Sequence, residues 1–242
     1  MRIDTAAYAC RWRGVAPQAK ALFALAGVAA AWLARSPGVL GLLALLSMLV
    51  TLLGARVALR TYISVLLAPL GFLLLSCLTM LASPGGGWHW MPALLPAVAV
   101  TALRSLAVLA ALLGLVLTTP MPDLLALLRR LRVPELLLDL MALSYRMLFV
   151  LRQAWEEGVT AQSARLGYRG WRHAWRSTGL LAGQMAVQVW QRAAALQMAA
   201  DARGYQGTLR FLPAAYPQAR RQNAYAVLAG TLLLAIAVGD RL

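Results

Sequence analysis

The sequence is poor in residues that face water and poor in negative charge. Only 13% of its 242 residues are charged, and 8 Asp and Glu stand against 23 Lys and Arg, while 61% of residues are hydrophobic. Soluble domains are about 25% charged and about 45–50% apolar, so a water-soluble globule is excluded. Intrinsic disorder is excluded as well, because disordered chains have few apolar residues. The composition therefore predicts an integral membrane protein.

Lysine, cysteine and histidine are nearly absent, and each scarcity excludes a class of site. Lys20 is the only lysine and neither Ser nor Thr follows it, so the chain is not a conventional P-loop ATPase. Cys10 and Cys77 predict neither a disulfide framework nor a Cys-based metal site. His89 and His173 fall on opposite sides of the membrane in the topology predicted below. A two-His metal site within this chain is therefore not expected.

Five apolar runs predict membrane-spanning helices. A helix needs about 20 apolar residues to cross about 30 Å of hydrocarbon. By that measure the third and fourth runs are long enough, the last is short unless its flanks extend it, and the first two are the least certain. The connectors between the runs are rich in Pro, Gly and Ser, which favour turns. The runs are Ala21–Leu33, Val39–Leu53, Ile63–Ala82, Ala93–Leu117 and Ala224–Val238.

Basic residues orient these spans, because cytoplasmic loops of membrane proteins carry an excess of Lys and Arg. The connector at 83–92 has neither, whereas segment 120–223 holds 14 arginines against 6 acidic residues. We expect a multi-pass protein of the cell inner membrane, with its N-terminus in the cytoplasm and its C-terminus outside. Arg35 and Arg241 are the two charges that oppose this orientation. The polar first 20 residues predict that there is no cleavable signal peptide.

The same pattern divides the chain into three predicted parts. Residues 1–119 form membrane-embedded helices, 120–223 a cytoplasmic coupling-helix region, and 224–242 a final transmembrane helix. Within the middle part, the helix-forming stretches Pro134–Arg152 and Thr178–Asp201 predict two long helices. The predicted fold class is an all-α membrane protein with about five transmembrane helices and two long cytoplasmic coupling helices.

A short motif occurs twice in the middle part. Residues 164–170 read Ala-Arg-Leu-Gly-Tyr-Arg-Gly and residues 202–207 read Ala-Arg-Gly-Tyr-Gln-Gly, so Arg165 and Arg203 each follow a helix-forming stretch. An arginine in a last helical turn followed by glycine is ordinary helix capping. Small residues next to an arginine also let a partner approach closely while the guanidinium binds an acidic group. The residues alone leave both interpretations open.

The duplicated Ala-Arg-(x)-Gly resembles the signature of the T component of energy-coupling factor (ECF) transporters, and the cobalt/nickel branch, the CbiQ-like proteins, is the most similar. The first copy departs from a strict Ala-Arg-Gly because Leu166 precedes Gly167, which leaves its backbone geometry open. Other stretches similar to that branch are Ile3-Asp4 with Arg13, Pro17 and Lys20; the stretch from Leu117 through Thr118 to Asp123 with Leu124-Leu125; Leu131-Arg132-Val133-Pro134; and the stretch from Ser144 to Phe149.

The resemblance implies a non-catalytic scaffold that couples two partners. In that family, two arginine-bearing helices dock on two cytoplasmic ABC-type ATPase subunits, and a separate membrane (S) subunit captures the substrate, which for this branch is Co²⁺ or Ni²⁺. The chain itself is expected to hold no cofactor and no metal, because ATP binds to the partner ATPases. Carried over to this sequence, the ATPase-binding residues are Ala164, Arg165, Gly167, Ala202, Arg203 and Gly204.

Two other functions remain as alternatives. The permease subunit of a conventional ABC importer forms the transport pathway itself, but such chains usually present one coupling loop rather than two motifs. An intramembrane enzyme acting on lipid needs clustered His, Asp or Glu, whereas the eight acidic residues here are scattered. Nucleic-acid binding uses the same basic and aromatic residues, but the flanking spans argue against it.

Three further features have more than one interpretation. Arg104 lies inside the fourth apolar run, where a costly charge is expected to face protein, either in an ion pair or at a functional site. The Trp-His-Trp-Met cluster at 88–91 favours an interfacial aromatic belt over a substrate contact. Four arginines form one basic stripe if their segment is helical, but two glycines predict a turn there, and anionic lipid is their favoured ligand. The arginines are Arg165, Arg169, Arg172 and Arg176, and the glycines are Gly167 and Gly170.

Overall fold

The computed structural model describes residues 2–83, 89–90, 94–205 and 216–241, and these residues are almost entirely helical. A two-residue antiparallel pair, β1 (Ala82–Ser83) with β2 (His89–Trp90), lies in the connector between the fourth and fifth helices. The all-α class predicted from the sequence is confirmed. The described helices are α1 (Arg2–Ala9), α2 (Pro17–Leu33), α3 (Pro37–Leu49), α4 (Leu59–Leu81), α5 (Leu95–Thr118), α6 (Met121–Arg130), α7 (Glu135–Ala164), α8 (Trp171–Ala202) and α9 (Ala219–Gly239).

Four described helices are long and apolar enough to cross a membrane: Pro37–Gly54, Leu59–Leu81, Leu95–Thr118 and Ala219–Gly239. The second predicted span reaches 18 residues because a π-helical segment, Val50–Gly54, extends α3. The last reaches 21 residues because it begins in the polar stretch before the apolar run. The first predicted span is the short one, since α2 has 17 residues, about 26 Å at a rise of about 1.5 Å per residue. The chain is an all-α membrane protein.

The described residues form two compact units. The first comprises Met1–Leu127 and Ala214–Leu242, and the second comprises Leu128–Pro213. The first unit therefore contains α1 to α5 and α9, the second contains α7 and α8, and the chain passes from one to the other within α6. The three-part division at 119 and 223 stays a prediction of the sequence.

The core of the first unit is built largely from small residues. Alanines of α2, α5 and α9 pack together with leucines of α3. Lipid is as apolar as leucine, so helices in a membrane associate through close packing of small side chains rather than through the hydrophobic effect. A second cluster joins the N-terminal segment to α4 and α5. It contains Cys10, Ala55, Val57, Tyr62, Leu113 and Leu117.

Two arginines cap the C-terminal end of α2. Arg104 of α5 donates from Nε to the carbonyl oxygen of Ala31 at 3.3 Å and from Nη2 to that of Ala34 at 3.1 Å. Arg241, beyond α9, donates from Nε to the carbonyl oxygen of Leu33 at 2.8 Å. The last carbonyls of a helix have no intrahelical donor, and the helix dipole favours a cation there. Arg104 therefore faces protein as expected, but its acceptors are backbone carbonyls rather than an acidic partner.

Asp240 binds the turn between α2 and α3. Its Oδ2 accepts hydrogen bonds from the backbone N–H groups of Arg35 and Ser36, each at 2.7 Å, just ahead of α3. The Ser36 side chain and these two N–H groups lower the pKa of Asp240 below its ordinary value. The residues after α9 thus fasten the turn between α2 and α3, which gives Arg241 a structural role despite its opposition to the predicted orientation.

Replacing Arg104 by methionine should destabilise the first unit. The Arg104→Met change keeps an unbranched side chain about as long as the aliphatic part of arginine but removes the donors to Ala31 and Ala34, and leaving buried carbonyls unpaired costs about 1–3 kcal/mol. Thermal unfolding in detergent micelles should show a lower midpoint than for Arg220→Met, a matched change at an exposed position of α9. Equal midpoints for the two variants would show that Arg104 does not cap α2.

Candidate coupling site at two helix ends

Two long helices of the second unit carry the repeated motif. α7 has 30 residues and α8 has 32, so both extend beyond the stretches at 134–152 and 178–201 that the sequence predicts. The chain turns between them at 165–170, as Gly167 and Gly170 predict. The basic stripe is therefore interrupted, with Arg165 and Arg169 in the turn and Arg172 and Arg176 on α8.

The first copy of the motif ends α7 with a Schellman cap. Arg165 is the C-cap residue, and Leu166 after it has a left-handed backbone with φ of +59°. The N–H of Gly167 donates to the carbonyl of Gln162 at 2.9 Å, and the N–H of Leu166 donates to that of Ser163 at 3.0 Å. These two bonds define the Schellman motif and satisfy the final carbonyls of the helix.

The second copy has the same geometry at the end of α8. Arg203 is the C-cap residue, and Gly204 has a φ of +68°. The N–H of Tyr205 donates to the carbonyl of Ala200 and the N–H of Gly204 to that of Asp201, both at 3.0 Å. Structurally, Arg165 corresponds to Arg203 and Leu166 to Gly204. The first copy therefore has no inserted residue; it has leucine at the left-handed position where the second has glycine.

Gly167 is required for a different reason from Gly204. A Cβ atom on Gly167 would lie 2.6 Å from Oγ of Ser177 and 2.9 Å from the carbonyl oxygen of Gln162. The Ser177 hydroxyl donates to the carbonyl oxygen of Gly167 at 3.0 Å, which ties the turn to the second turn of α8. The arginine end of α7 is therefore held in one geometry by both helices.

Both arginines are available to a partner. Arg165, Arg203 and the small residues Ala164, Ala202 and Gly204 are exposed, and Gly167 is half-buried. Because the backbone itself caps each helix, the guanidinium groups are not needed for that purpose. In the described part of the chain, neither Arg165 nor Arg203 has an acidic partner, in contrast to Arg152, which pairs with Glu156 on α7.

The structure does not bring the two arginines together. They lie at opposite ends of α8, whose 32 residues make it about 48 Å long at about 1.5 Å per residue. A standard protein interface buries about 800 Å² per partner, a patch roughly 30 Å across. Arg165 and Arg203 are therefore too far apart to lie in one interface of standard size.

α7 and α8 pack on each other close to the turn. Gly158 of α7 allows this approach, because a Cβ atom there would collide with the side chain of Leu181, which is 3% exposed. Beyond Leu181, residues 182–202 are all described and none of them is buried. Large apolar side chains such as Val187, Trp190 and Met198 are exposed on this part of α8. The half of α8 that leads to Arg203 thus lacks a packing partner in the described chain.

Other candidate features do not form a chemical site in the described residues. No group of three or more His, Cys, Asp or Glu side chains that could hold a metal ion occurs among them. In the cluster at 88–91, the backbone of His89 and Trp90 pairs with β1, while Trp88, Met91 and the side chains of the whole cluster lie outside what the structure describes. The side chain of Arg104 is used for capping α2.

The left-handed position of the second cap provides a test of this geometry. Gly204→Ala should weaken the end of α8, because a residue with a Cβ atom pays about 1–2 kcal/mol in this conformation, and space around Gly204 is otherwise open. Hydrogen exchange at Tyr205 should become about fivefold faster or more. Gly183→Ala, at another glycine of α8 with open space, is the control and should leave this exchange unchanged. Equal exchange in both variants would contradict the capping assignment.

Comparison with known proteins finds relatives that match most of this chain. The family model described as "CbiQ: Cobalt transport protein" matches residues 11–212. Cobalt transport protein CbiQ of Rhodobacter capsulatus is 37% identical over 221 residues, which cover 89% of this chain and 90% of that protein. Cobalt transport protein CbiQ of Salmonella typhimurium is 33% identical over 221 residues, covering 85% of this chain and 97% of that protein.

A third relative is a longer polypeptide. The putative fused cobalt transport protein CbiMQ of Methanocorpusculum labreanum is 29% identical over 220 residues, which cover 86% of this chain but 37% of that protein. The match to the family model includes both arginine-bearing helix ends and the first four apolar helices. The chain belongs to the CbiQ family of cobalt transport proteins.

Proposed function

We propose that this protein is the transmembrane coupling subunit of an ATP-driven importer of the ECF type that takes up cobalt. The observation that carries the proposal is the pair of matched helix ends, each with an exposed arginine, one helix length apart. Arg165 and Arg203 have the same backbone geometry, and each follows an exposed alanine. Two equivalent contacts suit two copies of one kind of partner, and the partner is a pair of ABC-type ATPase subunits.

The chemistry of each contact follows from the free guanidinium group. An arginine binds a carboxylate through two parallel hydrogen bonds, which fixes both distance and orientation. The exposed Ala164, Ala202 and Gly204 leave room for the partner's backbone to approach. Such a contact transmits movement without breaking a bond, so the subunit itself is not an enzyme and ATP stays on the partner subunits.

The rest of the second unit supports a scaffold role. Its described residues include four buried side chains, those of Leu138, Asp139, Ser177 and Leu181. Large exposed side chains such as Trp155, Trp171 and Trp190 remain uncovered. Exposed apolar surface of this extent is typical of protein or membrane interaction. Trp171 and Trp175, in edge-to-face contact at 5.8 Å between ring centroids, lie beside Arg172 and Arg176 and suit anionic lipid at the membrane surface.

The first unit supplies the membrane part of the importer. We propose that it lies in the cell inner membrane with its N-terminus in the cytoplasm and its C-terminus outside, so that 120–223 faces the ATPases. A separate membrane subunit captures the metal ion and docks on this unit. The fused relative, named a cobalt transport protein and matched over 37% of its length, supports this arrangement because there a chain of this kind is joined to a further polypeptide.

The two arginines can be tested together. The variant with both Arg165→Ala and Arg203→Ala should no longer co-purify with the ATPases, or should hydrolyse ATP without uptake, because each loss of an arginine contact costs about 2–5 kcal/mol of binding. Each single variant should be impaired less than the double. The readouts are co-purification, ATP hydrolysis and Co²⁺ uptake in proteoliposomes.

Arg192→Ala is the matched control, since Arg192 is an exposed arginine on α8 between the two helix ends. It should assemble and transport like the unmodified protein. If the double variant also assembles and transports normally, the motif does not contact the ATPases and the proposed function is wrong.

A further inference from the structure

The start of α2 and the end of α5, which take no part in the arginine sites, meet in the first unit. Lys20, near the start of α2, is 5% exposed and donates from Nζ to the carbonyl oxygen of Thr118 at 2.7 Å. Thr118 is the last residue of α5, and four positions on is Pro122, which has no N–H to offer that carbonyl. The buried ammonium group therefore completes the end of α5, where the helix dipole also favours a cation.

Asp123 links this point to the place where the chain returns for α9. It lies in the first turn of α6, its carboxylate interacts electrostatically with Lys20, and it accepts a hydrogen bond from the Tyr216 hydroxyl. Burial, this hydrogen bond and the charge of Asp123 raise the pKa of Tyr216 to about 12. The phenol therefore keeps its proton, and its hydrogen bond, at physiological pH.

Side-chain amides fasten the same end of α9 to the segment that leads into α2. Gln222 accepts at Oε1 from the backbone N–H of Ala16 at 2.7 Å. Asn223 donates from Nδ2 to Oε1 of Gln18 at 3.2 Å. The start of α2, the end of α5, the start of α6 and the start of α9 are thus connected by hydrogen bonds around Lys20.

These bonds lie next to the two points where the chain leaves and re-enters the first unit. The chain leaves the first unit after Leu127, four residues beyond Asp123, and re-enters it at Ala214, two residues before Tyr216. The whole second unit is inserted between these two points. The hydrogen bond between Asp123 and Tyr216 therefore connects the outgoing and the returning segment of the chain.

We propose that Lys20, Thr118, Asp123 and Tyr216 form a joint, a connection between the segment that leaves the first unit and the segment that returns to it. The joint makes these two segments move as one body. A displacement of the second unit then reaches α2, α5 and α9 together, instead of being lost as independent movement of the two connecting segments. The proposal makes these residues positioning residues for transport rather than contacts for the ATPases or the metal ion. The inference rests on the proposed function, since it specifies how movement produced at the arginine ends enters the membrane unit.

The first test separates coupling from assembly. Tyr216→Phe removes one hydroxyl and keeps the ring, so the complex with the ATPases should still form and hydrolyse ATP. Co²⁺ uptake per ATP hydrolysed should fall about tenfold, the effect of losing a hydrogen bond to a charged group. Tyr225→Phe, the same change at a tyrosine of α9 that is 71% exposed, is the control and should transport normally. Normal uptake per ATP in Tyr216→Phe would overturn the proposal.

Variants at Asp123 identify the interaction that matters. Asp123→Asn keeps an acceptor for the Tyr216 hydroxyl and should retain more uptake per ATP than Asp123→Ala, which removes it. Asp123→Ala combined with Tyr216→Phe should be no worse than Asp123→Ala alone, because both changes remove the same bond. Independent, multiplying losses in the double variant, or equal losses in Asp123→Asn and Asp123→Ala, would contradict a joint built on that bond.

A second measurement does not depend on the ATPases and so separates this inference from the proposed function. Spin labels replace Tyr225 in the first unit and Met198 in the second, both exposed positions, in the full chain in nanodiscs. The distance distribution between the labels should be broader with Tyr216→Phe than without it. An unchanged distribution overturns the joint even if the arginine contacts are confirmed, and a broader one supports the joint even if they are not.

Discussion

Backbone carbonyls at helix ends are the constraint on which the rest of this structure depends. They lack intrahelical donors, and hydrocarbon supplies no water to replace them. In the first unit the donors are charged side chains from other parts of the chain: Arg104 and Arg241 at the end of α2 and Lys20 at the end of α5. Each of these bonds ties distant parts of the chain together, so capping and tertiary structure are established by the same contacts.

The second unit meets the constraint in the opposite way, because its own backbone supplies the donors. At the ends of α7 and α8 the backbone folds back on itself and satisfies the carbonyls through Schellman caps. The arginine at each cap is therefore released from a structural role and stays exposed. Positive charge in this protein thus has two uses, since some of it holds helices together while Arg165 and Arg203 remain available to a partner. The two arginines are separated by α8, a helix of 32 residues that is about 48 Å long.

Much of the fold could be predicted from the sequence because apolar runs and breakers are local signals. Each of the five runs overlaps a described helix over most of its length, and the glycines of the 165–170 turn predict its place correctly. What local patterns could not supply are partners far along the chain. The carbonyl acceptors of Arg104 lie 70 and 73 residues away along the chain. A backbone carbonyl carries no charge, so the pattern of charged residues could not predict these partners. The sequence also did not predict that Leu166 is equivalent to Gly204. Leucine rarely adopts a positive φ, and aligning the two copies by residue type makes Leu166 look like an inserted residue.

The central claim is that the two arginine ends contact two separate ATPase subunits. It is tested most directly by placing a photo-crosslinking residue at Leu166, next to the first arginine, and at Met198, just over one turn before the second; both positions are exposed. Each position alone should yield a product of one chain with one ATPase, and both together a product of one chain with two. If the doubly labelled chain yields no product larger than one chain with one ATPase, the two ends share a single partner and the account is contradicted.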